Sequence, residues 1–197
     1  MKQDQVHELL YQALETEMGG VKIYEAAIRC AQNEDLREEW TKYLEQTTGH
    51  VEIVREVFDT YGLDPSVETP GRQVVRHIGD SLVEAMAIAL KAGPPEAAEL
   101  VAAECVTLAE TKDHLNWELI GQVAETATGE KGKALQDAYG RVEEQEAEHV
   151  FHTTGWGREL WIQSLGLPAV LPPPEEEKNV KTAIGASRAA QARDDMT

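Results

Sequence analysis

Glu146-Ala147-Glu148-His149 sets a carboxylate and an imidazole three residues apart. That is one turn of helix, so Glu146 and His149 leave the same face. Working outward, Leu135, Tyr139, Val142, Glu146, His149, Thr153, Trp156 and Leu160 follow one another at steps of three or four. The motif therefore sits on the stripe that faces a core. An ionised carboxylate is costly to bury unless it is paired or bound to a metal. Inward Glu-x-x-His pairs are one way in which helical bundles hold metal ions. In a chain with 36 acidic residues and six histidines the spacing also arises by chance. Register and the other helices must decide.

The flanking sequence reads as two helical hairpins. The first helix runs from about Val6 to Gln32, with Leu10, Ala13, Glu17, Val21, Tyr24 and Ile28 on one face. Asn33-Glu34-Asp35 marks a turn and a helix start. A second helix follows from about Glu34 to Tyr61. Its inner face is Leu36, Trp40, Tyr43, Thr47, His50, Val54 and Val57, and Gly62-Leu63-Asp64-Pro65 ends it. An amphipathic stretch from about Gln73 to Lys91 stops at Gly93-Pro94-Pro95 and reads as a crossover helix. The second hairpin comprises helices from Pro95 to about Thr126 and from Lys133 to Leu165. The expected fold is all-α, a four-helix bundle of two hairpins joined by a long crossover with its own helix. Residues 1–167 form this domain. Residues 168–197 are rich in Pro and Glu at first and lack a sustained apolar face, so a flexible or partner-ordered tail is expected.

Composition narrows the function classes. The 197 residues can bury a substantial core without disulfides. A formal charge of -18, with no Lys/Arg stripe to offset it, argues against nucleic acid and anionic membranes as partners and favours cations. Cys30 and Cys105 lie far apart and outside any Cys-x-x-Cys motif, which excludes a zinc ribbon or rubredoxin-type site. They read as buried small residues in a reducing compartment. With no apolar stretch long enough to span a bilayer and a polar N-terminus, the expectation is a soluble, cytoplasmic protein.

The two halves repeat weakly. Setting Glu17 against Glu110 also sets Tyr24 against Trp117, Glu25 against Glu118 and Ala31 against Ala124, and His50 and His149 are each followed by Val. Glu110 lies on the stripe Ala103, Val106, Glu110, His114, Trp117 and Gly121. The candidate metal ligands are thus Glu17, His50, Glu110, Glu146 and His149. His114 reads either as an additional ligand or as a donor to one. Tyr24 and Trp117 are packing residues first, although aromatic groups beside a redox metal can carry electrons. His50 reads equally as a core histidine bonded to Glu17 or Thr47. His152 falls beside the stripe, where a solvated or rim position is expected. Gly19-Gly20 weakens its helix by roughly 1 kcal/mol per Gly relative to Ala, a sign of close helix approach or of plain tolerance. The residue three before His50 is Thr47 rather than Glu, so one bridging carboxylate is missing unless Glu45 or Glu52 turns inward.

This helix order and spacing resembles the ferritin-like superfamily, including rubrerythrins and bacterioferritins. Tyr43-Leu44-Glu45-Gln46-Thr47-Thr48-Gly49-His50-Val51-Glu52, followed by Val57-Phe58, is similar to the second helix of the YciF-like branch of bacterial stress proteins. Glu110 with Trp117 resembles that branch's third helix. The resemblance implies a ferritin-like bundle with Glu17, His50, Glu110, Glu146 and His149 at ligand positions, and Thr47 departs from the symmetric pattern.

Carboxylate-rich ligation with some imidazole suits Fe or Mn, as a dinuclear or a mononuclear site. The expected function is metal binding in stress protection, with redox chemistry on dioxygen or peroxide, or iron oxidation; whether the protein is a peroxidase- or ferroxidase-like enzyme stays open. Lacking a Cys-x-x-Cys module, it would draw any reductant from elsewhere. The alternatives are a non-catalytic helical scaffold or binding protein with a degenerate site, and an iron-storage shell subunit. A homodimer through the hairpin faces is compatible with the pattern.

Overall fold

A computed structural model describes residues 1–178 and 181–196. The chain is all-helical, with no strand among the described residues. Four long helices, α1 (Gln3–Cys30), α2 (Glu34–Tyr61), α4 (Pro95–Thr126) and α5 (Gly129–Ser164), surround the core, and α3 (Pro70–Ala92) connects the two pairs. Two short helices follow, α6 (Pro174–Lys178) and α7 (Thr182–Met196). The ends agree with the punctuation of the sequence. Asn33 Oδ1 accepts from the Leu36 amide at 3.2 Å, and Gly62 closes α2 in the left-handed region at φ 68°. Thr69 caps α3 from the position before Pro70.

Contacts across the bundle fix its directions. Tyr24 meets Tyr43 and Tyr11 meets Phe58, so α1 and α2 run antiparallel. Tyr24 bonds Glu110 while Trp117 bonds Glu17, which makes α1 and α4 antiparallel as well. Lys42 with Glu148 and Arg141 with Glu56 do the same for α2 and α5. The helices α2 and α4 therefore point the same way, and the chain must return along the bundle between them. That return is α3, which packs on α1 and α4. The buried carboxylate of Glu15 anchors it. Glu15 accepts from Arg72 Nε at 2.6 Å and from Arg76 Nε and Nη2 at 2.7 and 2.9 Å. Burial would raise the Glu15 pKa, but the two guanidinium groups hold it below its ordinary value.

The apolar core is divided. One cluster around Tyr24, Leu36, Trp40, Tyr43, Val106 and Trp156 occupies one end, and another around Leu10, Leu14, Val54, Phe58, Trp117 and Val142 the other. Cys30 and Cys105 are both buried and unpaired, as small core residues. No helix among the described residues is long and apolar enough to cross a membrane.

The C-terminal segment differs from the expected flexible tail where it is described; residues 179, 180 and 197 lie outside the described residues. Polar anchors hold α6 and α7 against α5. Arg158 donates to both oxygens of the fully buried Glu175 at 2.6 and 3.0 Å, and Arg193 Nη1 donates to Glu159 at 3.0 and 2.7 Å. A Cβ on Gly155 would approach the Glu175 carboxylate to 2.8 Å, so the glycine is what admits α6.

Arg72→Ala removes one of the two guanidinium groups that hold the buried Glu15 carboxylate and leaves Arg76 as its partner, so it should lower the unfolding free energy by about 2 kcal/mol at neutral pH. Because the Glu15 pKa is depressed, its contribution is present above the unfolded value and is lost as pH falls through the folded one. The deficit, read by urea denaturation, should therefore shrink in acid. A variant as stable as the parent at pH 7 would contradict the anchoring of α3.

Candidate metal centre

Between the two apolar clusters lies a polar layer to which all four long helices contribute: Glu17 from α1, His50 from α2, Glu110 from α4, and Glu146 with His149 from α5. Their exposures range from 0 to 3%. Helical periodicity explains the delivery, since each residue falls on the same stripe as its helix's core residues. Two groups of donors have their ligand atoms within 4.8 Å of one another: Glu17, His50 and Glu146, and Glu110, Glu146 and His149. Glu146 belongs to both. Its Oε1 lies 3.0 Å from His50 Nδ1 and 3.5 Å from His149 Nδ1. Glu17 Oε2 is 3.6 Å from His50 Nδ1, and Glu110 Oε2 is 3.5 Å from His149 Nδ1.

Every one of these side chains but Glu146 is held by its other end. Trp117 Nε1 donates to Glu17 Oε1 at 2.6 Å, and the Tyr24 hydroxyl donates to Glu110 Oε1 at 2.8 Å. His50 Nε2 meets Gln145 Oε1 at 2.7 Å, and His149 Nε2 meets Gln46 Oε1 at 2.8 Å. A carbonyl oxygen accepts only, so Nε2 carries the proton and each Nδ1 is left with its lone pair when the ring is neutral. The atoms left over are Glu17 Oε2, His50 Nδ1, Glu110 Oε2, both oxygens of Glu146 and His149 Nδ1, all buried without a hydrogen-bond partner. Native proteins leave few such atoms. Their convergence on one space from four helices is what a cation site requires, and these groups can hold a metal ion.

The charges shift one another strongly. Burial lowers the basicity of both histidines, but the facing carboxylates outweigh it. His50 is raised to about 10 by Glu146 and Glu17, and His149 to about 9 by Glu110 and Glu146. Burial likewise opposes ionisation of Glu146, yet contact with His149 and His50 keeps its pKa below the ordinary value. For Glu17 burial wins over His50 and the pKa rises.

Three placements depart from the sequence reading. His114 is turned to the rim, 3.4 Å from Glu118 and tilted against Phe151 with ring centroids 6.1 Å apart, and is no part of the buried layer. Its neighbour Asp113 takes the inward position instead. Asp113 is 4% exposed and has an unpartnered Oδ1; its pKa is raised well above the ordinary value by burial and then by Glu17, Glu146 and Glu110. Residues 113 and 114 both lie one turn beyond Glu110, so periodicity allowed either. His152, expected to be solvated, is 3% exposed and bonded to Glu39 and Tyr43. Neither Glu45 nor Glu52 replaces the missing carboxylate, since both are exposed. Thr47 instead packs on Gly20, where an added Cβ would stand 3.1 Å from Thr47 Cγ2. Compared with models of known families, with curated proteins and with solved structures, the chain finds no match.

The raised histidines give a pH signature. With metal removed by chelation, imidazolium–carboxylate pairing stabilises the fold fully below the ordinary histidine pKa near 6.5 and is lost as pH rises through about 9 to 10. Urea denaturation of chelated protein should show stability falling across that window. The slope should flatten in His50→Gln/His149→Gln, and equal slopes in the two proteins would contradict the pairing.

Proposed function

We propose that the protein is a ferritin-like metalloprotein whose buried layer binds two Fe or Mn ions, one in each group of three donors, and reacts with peroxide or dioxygen. The observation that carries this reading is the set of six buried, unpartnered ligand atoms converging from four helices, with Glu146 shared between the two groups. Three carboxylates and two imidazoles, without thiolate, suit Fe(II) or Mn(II). Such ions, when bound close together, supply the electrons that peroxide or dioxygen takes up.

The chain's own residues prepare the site. Tyr24 and Trp117 hold one oxygen of Glu110 and of Glu17 and so aim the other at the centre. Gln46 and Gln145 fix the tautomers and planes of the two imidazoles. Glu146 is free of such restraint. It would be the carboxylate that both groups of donors share when a cation is held there. Asp113 is a buried acid beside three carboxylates, suited to keep a proton near the centre and to release it when a cation enters. The apolar clusters on either side keep bulk water out of the layer.

A scaffold with a degenerate site is the competing reading, and the Thr47–Gly20 packing favours it because the position of one bridging carboxylate is filled. Metal stoichiometry after anaerobic loading with Fe(II) or Mn(II) separates the two. We expect two ions per chain in the parent, none in Glu146→Ala, which removes the shared ligand, and at most one in Glu110→Ala. Oxidation of the loaded Fe(II) by peroxide should fall in Glu146→Ala to the rate of free Fe(II). A parent chain that retains no ion belongs to the scaffold class.

A further inference from the structure

The crossover helix α3 is only half covered. Of its 23 residues Arg72 and Met86 alone are buried, and Val74, Ile78 and Ile88 are 55 to 58% exposed. Beside it α4 carries Leu108 and Leu115 at 62% and 47% exposure. Leu82 and Leu108 line both clefts on this face, one of about 60 Å³ toward α1 and one of about 690 Å³ toward α5. The apolar surface is therefore continuous from α3 to α4, unlike the scattered single residues that a monomer exposes.

The order of residues along the two helices says what covers it. Glu15 bonds Arg72 and Arg76 while Lys22 meets Asp80, so α3 runs parallel to α1 and antiparallel to α4. Leu82 and Leu108, which share both clefts, stand at one height. The outward residues of α4 are arranged symmetrically about Leu108. Glu104 and Lys112 lie four residues to either side of it, and Val101 and Leu115 seven. Steps of four and of seven return to the same helix face. On α3, Val74 and Ile88 lie seven residues to either side of Ser81, the neighbour of Leu82. Reversing either helix end for end thus sets apolar residues on apolar ones, and on α4 it also sets an acid on a base.

We propose that this face binds a second copy of the chain about a twofold axis that crosses α4 at Leu108 and α3 near Ser81. The axis lays each helix antiparallel on its own copy. Leu108 then meets its counterpart, Val101 meets Leu115 of the second copy, Val74 meets Ile88 of the second copy, and Glu104 faces Lys112 in two equivalent pairs. A surface that serves both partners has to be complementary to itself, and these stripes are. Charge favours the same face. A chain of formal charge -18 repels its copy over most of its surface, whereas here the acid of one chain meets the base of the other. Both groups are poised for that contact. Trp161 Nε1 donates to Glu104 Oε1 at 2.9 Å and steadies the carboxylate, and Lys112, bonded to Asn116 Oδ1, keeps two further protons to donate. The buried donors lie on the inner faces of the bundle, so the pairing holds whatever that layer binds.

Sedimentation equilibrium of the parent chain should give twice the 21.8 kDa chain mass. Leu108→Asp places two like charges on the axis and should weaken association roughly hundredfold or more. Because Leu108 is exposed within one chain, its helical circular dichroism should be unchanged. Single cysteines then read the register, since Cys30 and Cys105 are buried. Leu108→Cys should cross-link to its copy on mild oxidation. Leu115→Cys should not, because in this arrangement its two copies stand 14 residues of helical rise apart, about 21 Å. A parent chain of single mass, a dimer undiminished by Leu108→Asp, or cross-linking through Leu115→Cys in place of Leu108→Cys would overturn the proposal.

Discussion

Five ionisable side chains with almost no solvent contact meet in the middle of this bundle, and the remainder of the structure answers to them. Burying even one unpaired carboxylate would exceed what a domain of this size can sustain. The layer is tolerable because its charges face one another and because donors at its edge satisfy the outward atoms. Glu17 and Glu110 each receive one strong donor from an aromatic residue on the facing helix. Those bonds cross between α1 and α4 and set their relative height. The two glutamines act likewise between α2 and α5. The register of four helices is thereby written in the hydrogen bonds that hold these side chains, with apolar packing at both ends supplying the bulk of the cohesion.

Long periodic stretches made most of this legible. The ends of α2 and α4 could be read from Asn33, Gly62 and Pro95, where the physical signals are local. Glu17, His50, Glu110, Glu146 and His149 came from the same periodicity and meet in the structure because polar residues on an apolar stripe have nowhere else to go. The error at His114 shows the resolution of that reasoning. A step of three and a step of four both return to one helix face, and only packing against α1 decides that Asp113 turns inward. Gln46 and Gln145 were not legible, because their part depends on heights across a helix pair that sequence spacing within one helix does not contain.

The C-terminal segment failed for another reason. Hydrophobic periodicity detects elements that dock through apolar area, and α7 buries only Gly185 and Ala189 among its described residues. Its attachment runs through Arg158, Glu159, Glu175 and Arg193, a charged set that looks in sequence like a solvated surface. The signal that existed was negative. Gly155 and Gly157 interrupt the core face of α5 at the point where another element comes close, and Glu175 fills the space that Gly155 leaves. The same misreading hid His152, whose partners Glu39 and Tyr43 come from α2 and whose cover is contributed by α6.

The asymmetry at Thr47 becomes intelligible when the two halves are compared in space. Under the alignment that sets Glu17 on Glu110, Gly20 falls on Asp113, and under the one that sets His50 on His149, Thr47 falls on Glu146. In the first half these two positions are small and touch each other, which lets α1 and α2 approach closely. In the second half both are carboxylates and both turn to the centre. The loss at Thr47 and the gain at Asp113 therefore concern the same layer: Glu17, Glu110, Asp113 and Glu146 are four buried acids, distributed one and three between the halves. Moving one buried acid across the bundle axis keeps their number, but the acid gained at Asp113 is one that burial and its neighbours favour in the protonated form, so the two groups of donors are no longer alike. Asp113 bears most strongly on Glu17, then on Glu146 and Glu110, so the acid gained on α4 stands beside the group that Thr47 leaves short of a carboxylate, while Gly20 and Thr47 wall that group between α1 and α2.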